Sequence, residues 1–550
     1  YLGNPLVFCG CVGLIPRDKI EKETGVGDAI VVMGGRTGRD GIHGATFSSA
    51  ELTDTHADEF SHAVQIGNAI TEKKVADVIL QARDRDLFTA VTDCGAGGLS
   101  SAVGEMGDKI GAAVELDKVP LKYAGLRYDE IWISEAQERM VMSVPKEKLD
   151  ELLALAASED VEASVIGTFG TEKHELVLSY RGTEVGRMAM EFIHHGIPMP
   201  TRKAVVFERG TGGPPVSSPV SQANHGRAAH ATKDRLLQLL SHPNIASKHW
   251  IIRQYDHEVQ GGSVIKPLIG RRQIGPSDAA VLRPKLNSHR GVVVGCGLSP
   301  QIEDPYEMAL AAIDEAVRNV VAVGADPGKL AILDNFCWPS VEDEKTMGTL
   351  VRACEACRDA ALAYGIPFIS GKDSLHNQFT DSETGRVIRI PNTLLISAIG
   401  VIDDVRKCIT MDLKNPGDGK LLLISPAADT LAARIAVHRA LSRAIQNGWV
   451  QSCHDLSDGG YLTAIAEMCI ASGLGAHVAL DTPDAYFAEN IAEYVVEVAQ
   501  KNLPAITELL SGSSRVRELG GTSADPRLHI DQTEVSIDEM TQAWRGSLDW

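Results

Sequence analysis

The sequence predicts an α+β protein in which one sheet-and-helix domain occurs twice, and three observations predict it. First, residues 92–107 read Thr-Asp-Cys-Gly-Ala-Gly-Gly-Leu-Ser-Ser-Ala-Val-Gly-Glu-Met-Gly and follow a short apolar run at 87–91. Second, residues 450–460 read Val-Gln-Ser-Cys-His-Asp-Leu-Ser-Asp-Gly-Gly and lead into another helical pattern. In both stretches an Asp precedes a Gly-Gly pair, and twelve residues separate Asp93 from Glu105 and Asp455 from Glu467. Third, each stretch is followed by an acidic segment that runs into an apolar strand, at 133–144 and at 487–498. The copies lie 362 residues apart. Stacked repeats have periods of tens of residues, so this is a duplicated domain.

The bulk composition narrows the function classes. A chain of 550 residues has room for roughly three to four domains. With 44% hydrophobic and 23% charged residues it reads as an ordinary soluble globular protein. Its formal charge of −20 argues against a broad nucleic-acid footprint. Small phosphates stay allowed, because a local site can be positive on an acidic protein. No apolar run reaches the roughly 18–20 residues of a membrane helix and no signal peptide is present, so a cytoplasmic protein without a membrane partner is expected. The ten cysteines are scattered and read as reduced thiols. Cys354 and Cys357 form the only Cys-x-x-Cys and read as core thiols rather than zinc ligands.

Along the chain, residues 1–26 read as the last strand of a preceding domain plus a linker, since the sequence opens at Tyr1 in mid-pattern. Residues 29–33 form a strand that enters a glycine-rich stretch, 34–44. There Gly38, Arg39, Gly41 and His43 suit an anion cradle, with a flexible surface loop as the equal alternative. Gln65, two residues ahead of Gly67, reads as a turn residue or a ligand contact. Residues 70–82 are helical. Asp93 stands at a strand end, Gly95, Gly97 and Gly98 let the backbone turn tightly, and a helix starts near Gly98. A carboxylate beside a helix N-terminus suits a magnesium–phosphate group. Glu135, Gln137 and Arg139 alternate into the strand 140–144, and period two places them on one face, either lining a site or solvated. A helix at 146–157 and strands over 161–193 follow.

Residues 209–231 are rich in Gly, Pro, Ser and Ala and read as a linker. Beyond it come a helix at 236–240, an extended segment around 255–258, a turn at 275–281 presenting Asp278, a strand at 292–294 and an amphipathic helix at 305–325. A strand at 330–333 ends in Asp334, and after a helix at 346–364 a strand at 367–370 ends in Gly371-Lys372-Asp373-Ser374. The Walker pattern is absent. Gly371, Lys372 and Ser374 still suit a phosphate, and Asp334 a metal or nucleotide. A strand at 392–401, a strand at 421–424, a helix at 430–447 and the Asp455 loop complete the plan.

The segments 34–44, 64–68, 93–99, 134–139, 371–374 and 454–460, in this order, resemble the phosphoribosylformylglycinamidine synthase family of purine biosynthesis. The resemblance implies duplicated aminoimidazole-ribonucleotide-synthetase-like halves. It divides this chain into the tail of a missing N-terminal domain (1–26), a first C-terminal-type domain (27–205), a linker (206–231), a second N-terminal-type domain (232–404) and a second C-terminal-type domain (415–550). It implies a ligase that uses ATP, Mg2+, formylglycinamide ribonucleotide and glutamine-derived ammonia, through an iminophosphate. No nucleophile-elbow cysteine stands out and Trp550 reads as an end, so a separate glutaminase subunit is implied.

Carried over by position, Asp93 matches a magnesium ligand. Gln65, Glu135, Ala136 and Gln137 match substrate contacts, with Ala136 in place of the family's Ser and therefore binding through backbone alone. Asp334, Gly371 and Lys372 match nucleotide positions and Ser374 a substrate contact. Lys372 replaces a metal-ligating Asn of some members and, being charged, suits phosphate instead. The family's catalytic histidine is expected in the N-terminal domain. Glu493 and Ile491 stand where the first copy has Arg139 and Gln137, so the second copy is expected to be structural, with a non-reacting nucleotide as an option. Two alternatives remain: another synthetase or kinase of the same superfold, and a non-catalytic nucleotide-binding scaffold for a glutaminase.

Overall fold

The computed structural model describes residues 1, 4–42, 52–53, 66–206, 228–254, 257–479 and 486–548. His43, Gln65, most of the expected 206–231 linker, and Tyr255 and Asp256 lie outside the described residues. The chain forms two compact units, residues 1–202 with 376–390 and residues 203–375 with 391–550.

The first unit holds strands β1 (Ala29–Gly34), β2 (Leu52–Thr53), β3 (Ala90–Asp93), β4 (Ala112–Glu115), β5 (Arg139–Val144), β6 (Ala163–Phe169), β7 (Glu175–Tyr180) and β8 (Thr183–Ala189). Seven of them form a sheet in the order β3-β5-β1-β6-β4-β7-β8. Its central strand β1 is apolar throughout because both of its faces are covered. Ile30 and Val32 enter a core with Leu99, Val103 and Phe169. Ala29, Val31 and Met33 enter a second core, with Val75, Val78 and Leu152. Successive strand side chains point to opposite faces, so one five-residue run serves both cores.

The second unit holds β9 (Ser263–Ile265), β10 (Ala280–Leu282), β11 (Gly291–Leu298), β12 (Leu330–Cys337) and β13 (Phe368–Ser374). The short strand β14 (Gln378–Thr380) pairs with β2 on one side and with β15 (Val387–Arg389) on the other, in the first unit. The second unit continues with β16 (Thr393–Ile402), β17 (Gly419–Pro426), β18 (Val450–Asp455), β19 (Gly475–Val478), β20 (Tyr494–Ala499), β21 (Ser514–Ser523), β22 (Arg527–Ile530) and β23 (Thr533–Ser536). It has a six-stranded sheet, β13-β12-β16-β11-β10-β9, and a seven-stranded one, β18-β20-β17-β21-β19-β22-β23. One continuous core joins them, from Val293, Ile332 and Ile396 through Val317 of helix Pro305–Ala322 to Leu422, Val495 and Trp544.

The two seven-stranded sheets have the same topology, strand for strand. The parallel pairing of β4 with β7 recurs as β19 with β22. The register break between β1 and β6 recurs between β17 and β21. Asp93 pairs with Met140 and Asp455 with Tyr494, so the predicted duplication is real down to register, and Glu493 does occupy the place of Arg139.

Several expected boundaries move. Among the described residues of 1–26 there is no strand, only a 3-10 turn at Arg17–Lys19. The strand expected at 87–91 is β3, which includes Asp93. Residues 85–89 instead close the helix Ala69–Asp84, with the Leu87 N–H donating to the Ala82 carbonyl at 2.9 Å. Residues 190–193 are not strand but part of helix Met190–His195. The strands expected to stop at Leu333 and Ser370 run on to Cys337 and Ser374 as a parallel edge pair. Backbone pairing does not need the apolar pattern that marked those strands, and residues 369–373 of β13 are exposed.

The two-faced packing of β1 sets a test. Ile30→Ala, at a fully buried position, is expected to lower unfolding free energy by about 2–5 kcal/mol. Ile369→Ala on the exposed edge should change it by less than about 0.5 kcal/mol. Urea denaturation followed by circular dichroism measures both.

Candidate active site

In the first unit three segments converge. The loop after β1 is held against the 134–138 segment by the Gly35 N–H, which donates to the Glu138 carbonyl at 3.0 Å. The turn after β3 leaves the Asp93 carboxylate exposed, and the next residue, Cys94, donates its N–H to the Arg139 carbonyl at 3.1 Å. Gly98, at φ +58°, comes so near the Ser134 carbonyl that a Cβ there would overlap it; glycine alone adopts both features cheaply. The helix begins where predicted, as Leu99–Gly107, with Leu99, Ala102, Val103 and Met106 buried. Glu135 ties the segments together: its N–H donates to the Asp40 carbonyl at 2.8 Å, and its carboxylate accepts from the Gly97 N–H at 3.1 Å. Gln137 Nε2 donates back to the Glu135 carbonyl at 3.2 Å, and Ala136 is buried.

The expectation that Glu135, Gln137 and Arg139 share one strand face is corrected. Residues 134–138 are not strand, Glu138 has φ +55°, and β5 starts only at Arg139. The bend is what carries Glu135 onto the Gly97 turn. Of the proposed cradle, Gly38, Arg39 and Gly41 lie in this loop, but its arginines are engaged. Arg36 pairs with Glu162 at 2.7 Å and Arg39 with Glu130 at 2.9 Å. Two other cations reach the loop: Lys122 pairs with Asp40 at 2.8 Å, and Arg139 donates to the Thr37 hydroxyl. Lys122 carries no local signal, because 82 residues separate it from Asp40.

Asp93 fits a magnesium ion as a lone protein donor, since Mg2+ usually takes one or two carboxylates and completes its shell with waters and phosphate oxygens. The remaining predicted residues are in the second unit, on β12 and β13. Asp334 pairs in register with Gly371, and any Cβ at 371 would overlap the Asp334 carboxylate. Burial, then repulsion from Asp373, raises the pKa of Asp334. Lys372 is exposed on the edge strand and Ser374 is half-buried.

The second repeat has the same backbone but a different filling. The Leu456 N–H donates to the Glu493 carbonyl at 3.0 Å, matching Cys94 and Arg139. The Gly459 N–H donates to Glu489 at 3.3 Å, matching Gly97 and Glu135. Here, however, Asp455 is only 4% exposed, and it accepts from Arg318 Nε at 3.1 Å. Arg318 also donates to Asp314 at 2.8 Å, and Asp314 accepts from Tyr364 Oη at 2.9 Å and the Ala492 N–H at 2.9 Å and contacts His438 Nε2 at 3.0 Å. Burial alone would raise the Asp314 pKa, but His438, Arg318 and Arg434 hold it well below the usual carboxylate range.

Asp278, His454 and Asp455 place possible ligand atoms within 4.8 Å of one another, yet the set is already filled. His454 bridges Asp278 at 2.7 Å and Glu467 at 3.0 Å. Burial opposes its charge, but these two carboxylates raise its pKa well above the usual value. A protonated imidazole has no lone pair for a metal. The turn predicted to present Asp278 therefore presents it inward.

Comparison with known proteins follows the same outline. The family model described as AIR synthase related protein, C-terminal domain, matches residues 25–178 and 414–531, and the AIR synthase related protein, N-terminal domain, matches residues 276–401. The chain is 30% identical over 589 residues to the phosphoribosylformylglycinamidine synthase subunit PurL of Thermoplasma volcanium, covering 100% of this chain and 74% of that protein. It is 33% identical over 562 residues to that of Rhodospirillum rubrum, covering 96% and 72%. Among solved structures it is similar to T. maritima PurL complexed with FGAR, with a TM-score of 0.67 and 25% identity over 91% of this chain and 72% of that one.

Two predictions follow from the filled second repeat. Arg318→Ala leaves Asp314 and Asp455 buried without their shared cation and is expected to cost about 3–5 kcal/mol, read from chemical denaturation. Glu315 is raised by burial to about 7. Between its unfolded pKa and 7 the folded state binds more protons, so its share of stability falls as pH rises through that window. Glu315→Gln should therefore gain about 2 kcal/mol relative to the wild type between pH 5 and pH 8, measured as parallel denaturation curves at the two pH values.

Proposed function

The chain belongs to the phosphoribosylformylglycinamidine synthase subunit PurL family, and from that membership we propose that it converts formylglycinamide ribonucleotide to formylglycinamidine ribonucleotide in purine biosynthesis. It is a C–N bond-forming ligase driven by ATP. The substrate's amide oxygen attacks the γ-phosphorus of ATP, releasing ADP and leaving an iminophosphate. Ammonia then adds to the imidate carbon, and phosphate departs with the former amide oxygen. A separate glutaminase subunit supplies the ammonia; that relatives carry the name "subunit" supports this. The setting proposed is the cytoplasm, as the resemblance implies; among the described residues no helix is long and apolar enough to cross a membrane.

The observation that carries the reading is the asymmetry between the repeats. Asp93 is open while its counterpart Asp455 is buried against Arg318. In the first repeat Gln65, Glu135, the Ala136 backbone and Gln137 contact the ribonucleotide, and Gly38, Arg39, Gly41 and His43 line its phosphate. Asp334, Gly371 and Lys372 meet the nucleotide and Ser374 the substrate. Asp93 would hold Mg2+, which when bound supplies charge neutralisation on the transferring phosphoryl group. Lys372 acts as a point charge on phosphate. The domain division we propose is 27–205, a linker at 206–231, 232–404 and 415–550.

Two parallel variants test this. Asp93→Asn is expected to reduce ATP- and ammonia-dependent product formation by about 100-fold with little change in Tm. Asp455→Asn is expected to lower Tm while the folded protein keeps its kcat. Loss of turnover in Asp455→Asn at unchanged Tm would sink the assignment of the first repeat as the active one. Absence of turnover in the wild type, with nucleotide still bound, would favour the scaffold reading.

A further inference from the structure

Arg139 is 2% exposed, and among the described residues no carboxylate forms an ion pair with it. Its guanidinium donates to the Thr37 hydroxyl and to the Ser134 carbonyl. Among the described residues its Nε has no hydrogen-bond partner, and the same holds for the buried Ser134 hydroxyl. The Cys94 thiol and, more weakly, the Asp40 carboxylate favour its charge, and Asp40 is already paired with Lys122. Burial of a cation without an opposite charge is unfavourable, so a fold keeps one only where something else requires it.

The sheet does not require it. The second repeat repeats the fold with Glu493 at the same register position and the same backbone hydrogen bond from the residue after the aspartate. There the side chain accepts from Asn490 Nδ2 at 3.1 Å. The cation in the second repeat comes from another element, as Arg318 on Asp455. The arginine of the first repeat is thus tied to what is particular to that repeat, its open site.

What Arg139 joins is specific. Thr37 is fully buried and stitched to the 120–122 segment through its N–H to the Pro120 carbonyl at 2.8 Å and its carbonyl to the Lys122 N–H at 2.8 Å. Ser134 precedes Glu135, and its carbonyl is the group that Gly98 approaches. One guanidinium therefore fixes the glycine loop to the turn that presents Glu135 and Gln137, and among the described residues no carboxylate pairs with it there.

We propose that Arg139 is a positioning residue of the first-repeat site, clamping Thr37 to the Ser134 carbonyl and so setting the Glu135–Gln137 turn for a phosphorylated ribonucleotide substrate. This rests on the proposed function. Arg139→Met removes charge and hydrogen bonds. Arg139→Lys keeps the charge but cannot span both acceptors, and Thr37→Val removes one acceptor at constant shape.

The test measures Tm, KM for each substrate and kcat in the full protein, with binding of formylglycinamide ribonucleotide by calorimetry. Arg139→Met and Arg139→Lys are expected to raise KM and Kd for the ribonucleotide by about 10- to 100-fold, while KM for ATP stays within about twofold. Thr37→Val should move in the same direction by a smaller factor, and Glu493→Gln should move neither KM. If Arg139→Met does not fold, Arg139→Lys and Thr37→Val decide. Wild type that binds the ribonucleotide, with folded variants that bind it equally well, overturns the role of Arg139 alone. So does a parallel rise in both KM values. Wild type that does not bind the ribonucleotide overturns the proposed function, and this inference with it.

Discussion

The constraint on which both repeats depend is a peptide N–H in a glycine turn that donates to a carboxylate from the next strand's approach. Gly97 does so to Glu135 and Gly459 to Glu489. A hydrogen bond to an ionised acceptor is among the stronger ones available to a backbone amide. It draws the turn after the aspartate strand onto the segment before its neighbour, which needs a glycine there and a left-handed residue one or two positions before the next strand. Glu138 and Ala492 take that second conformation, at φ +55° and +60°. Once these bonds form, the aspartate side chain sits at the mouth of the turn in each copy.

What the two copies do with that aspartate depends on where the counter-charge comes from. In the second repeat helix Pro305–Ala322 supplies Arg318, and Asp314 one turn earlier holds it. The carboxylate is thereby committed to joining two sheets through one core. The desolvation of such a pair is costly, and it is tolerated only because the remaining lone pairs are met; here Tyr364 and the Ala492 N–H meet them. In the first repeat the buried guanidinium belongs to the site's own strand and points at neutral acceptors. Asp93 is left to solvent. One copy has thus become architecture and the other retains an open carboxylate.

Much of this was legible in the chain. The Asp, Gly-Gly and Glu-Met spacing marked the duplication because it records backbone turns and a helix face, both local. The run 29–33 marked a strand because it is apolar at every position; that it is covered on two sides came from the structure. Asp93 and the start of helix Leu99–Gly107 followed from the same local rules. Less legible were the strands that continue past their apolar stretch, at Asp334 and Gly371, because parallel edge pairing is made by backbone groups. The bend at Glu138 was hidden as well, since a non-glycine residue at positive φ carries no sequence mark.

By itself, then, the sequence determined the repeated α+β plan and the family, and it marked the short segments proposed to carry the chemistry, since each is written within a dozen residues. Glu493 and Ile491 already pointed to the second repeat as the structural one; only the tertiary structure decided how it is closed, with Asp455 buried against Arg318 while Asp93 stays open. That outcome rests on Arg318 meeting Asp455, Lys122 meeting Asp40 and Arg139 meeting Thr37. These partners lie about a hundred residues apart in the chain, and charge pairing acts through space, so no local pattern announces which cation a carboxylate will find.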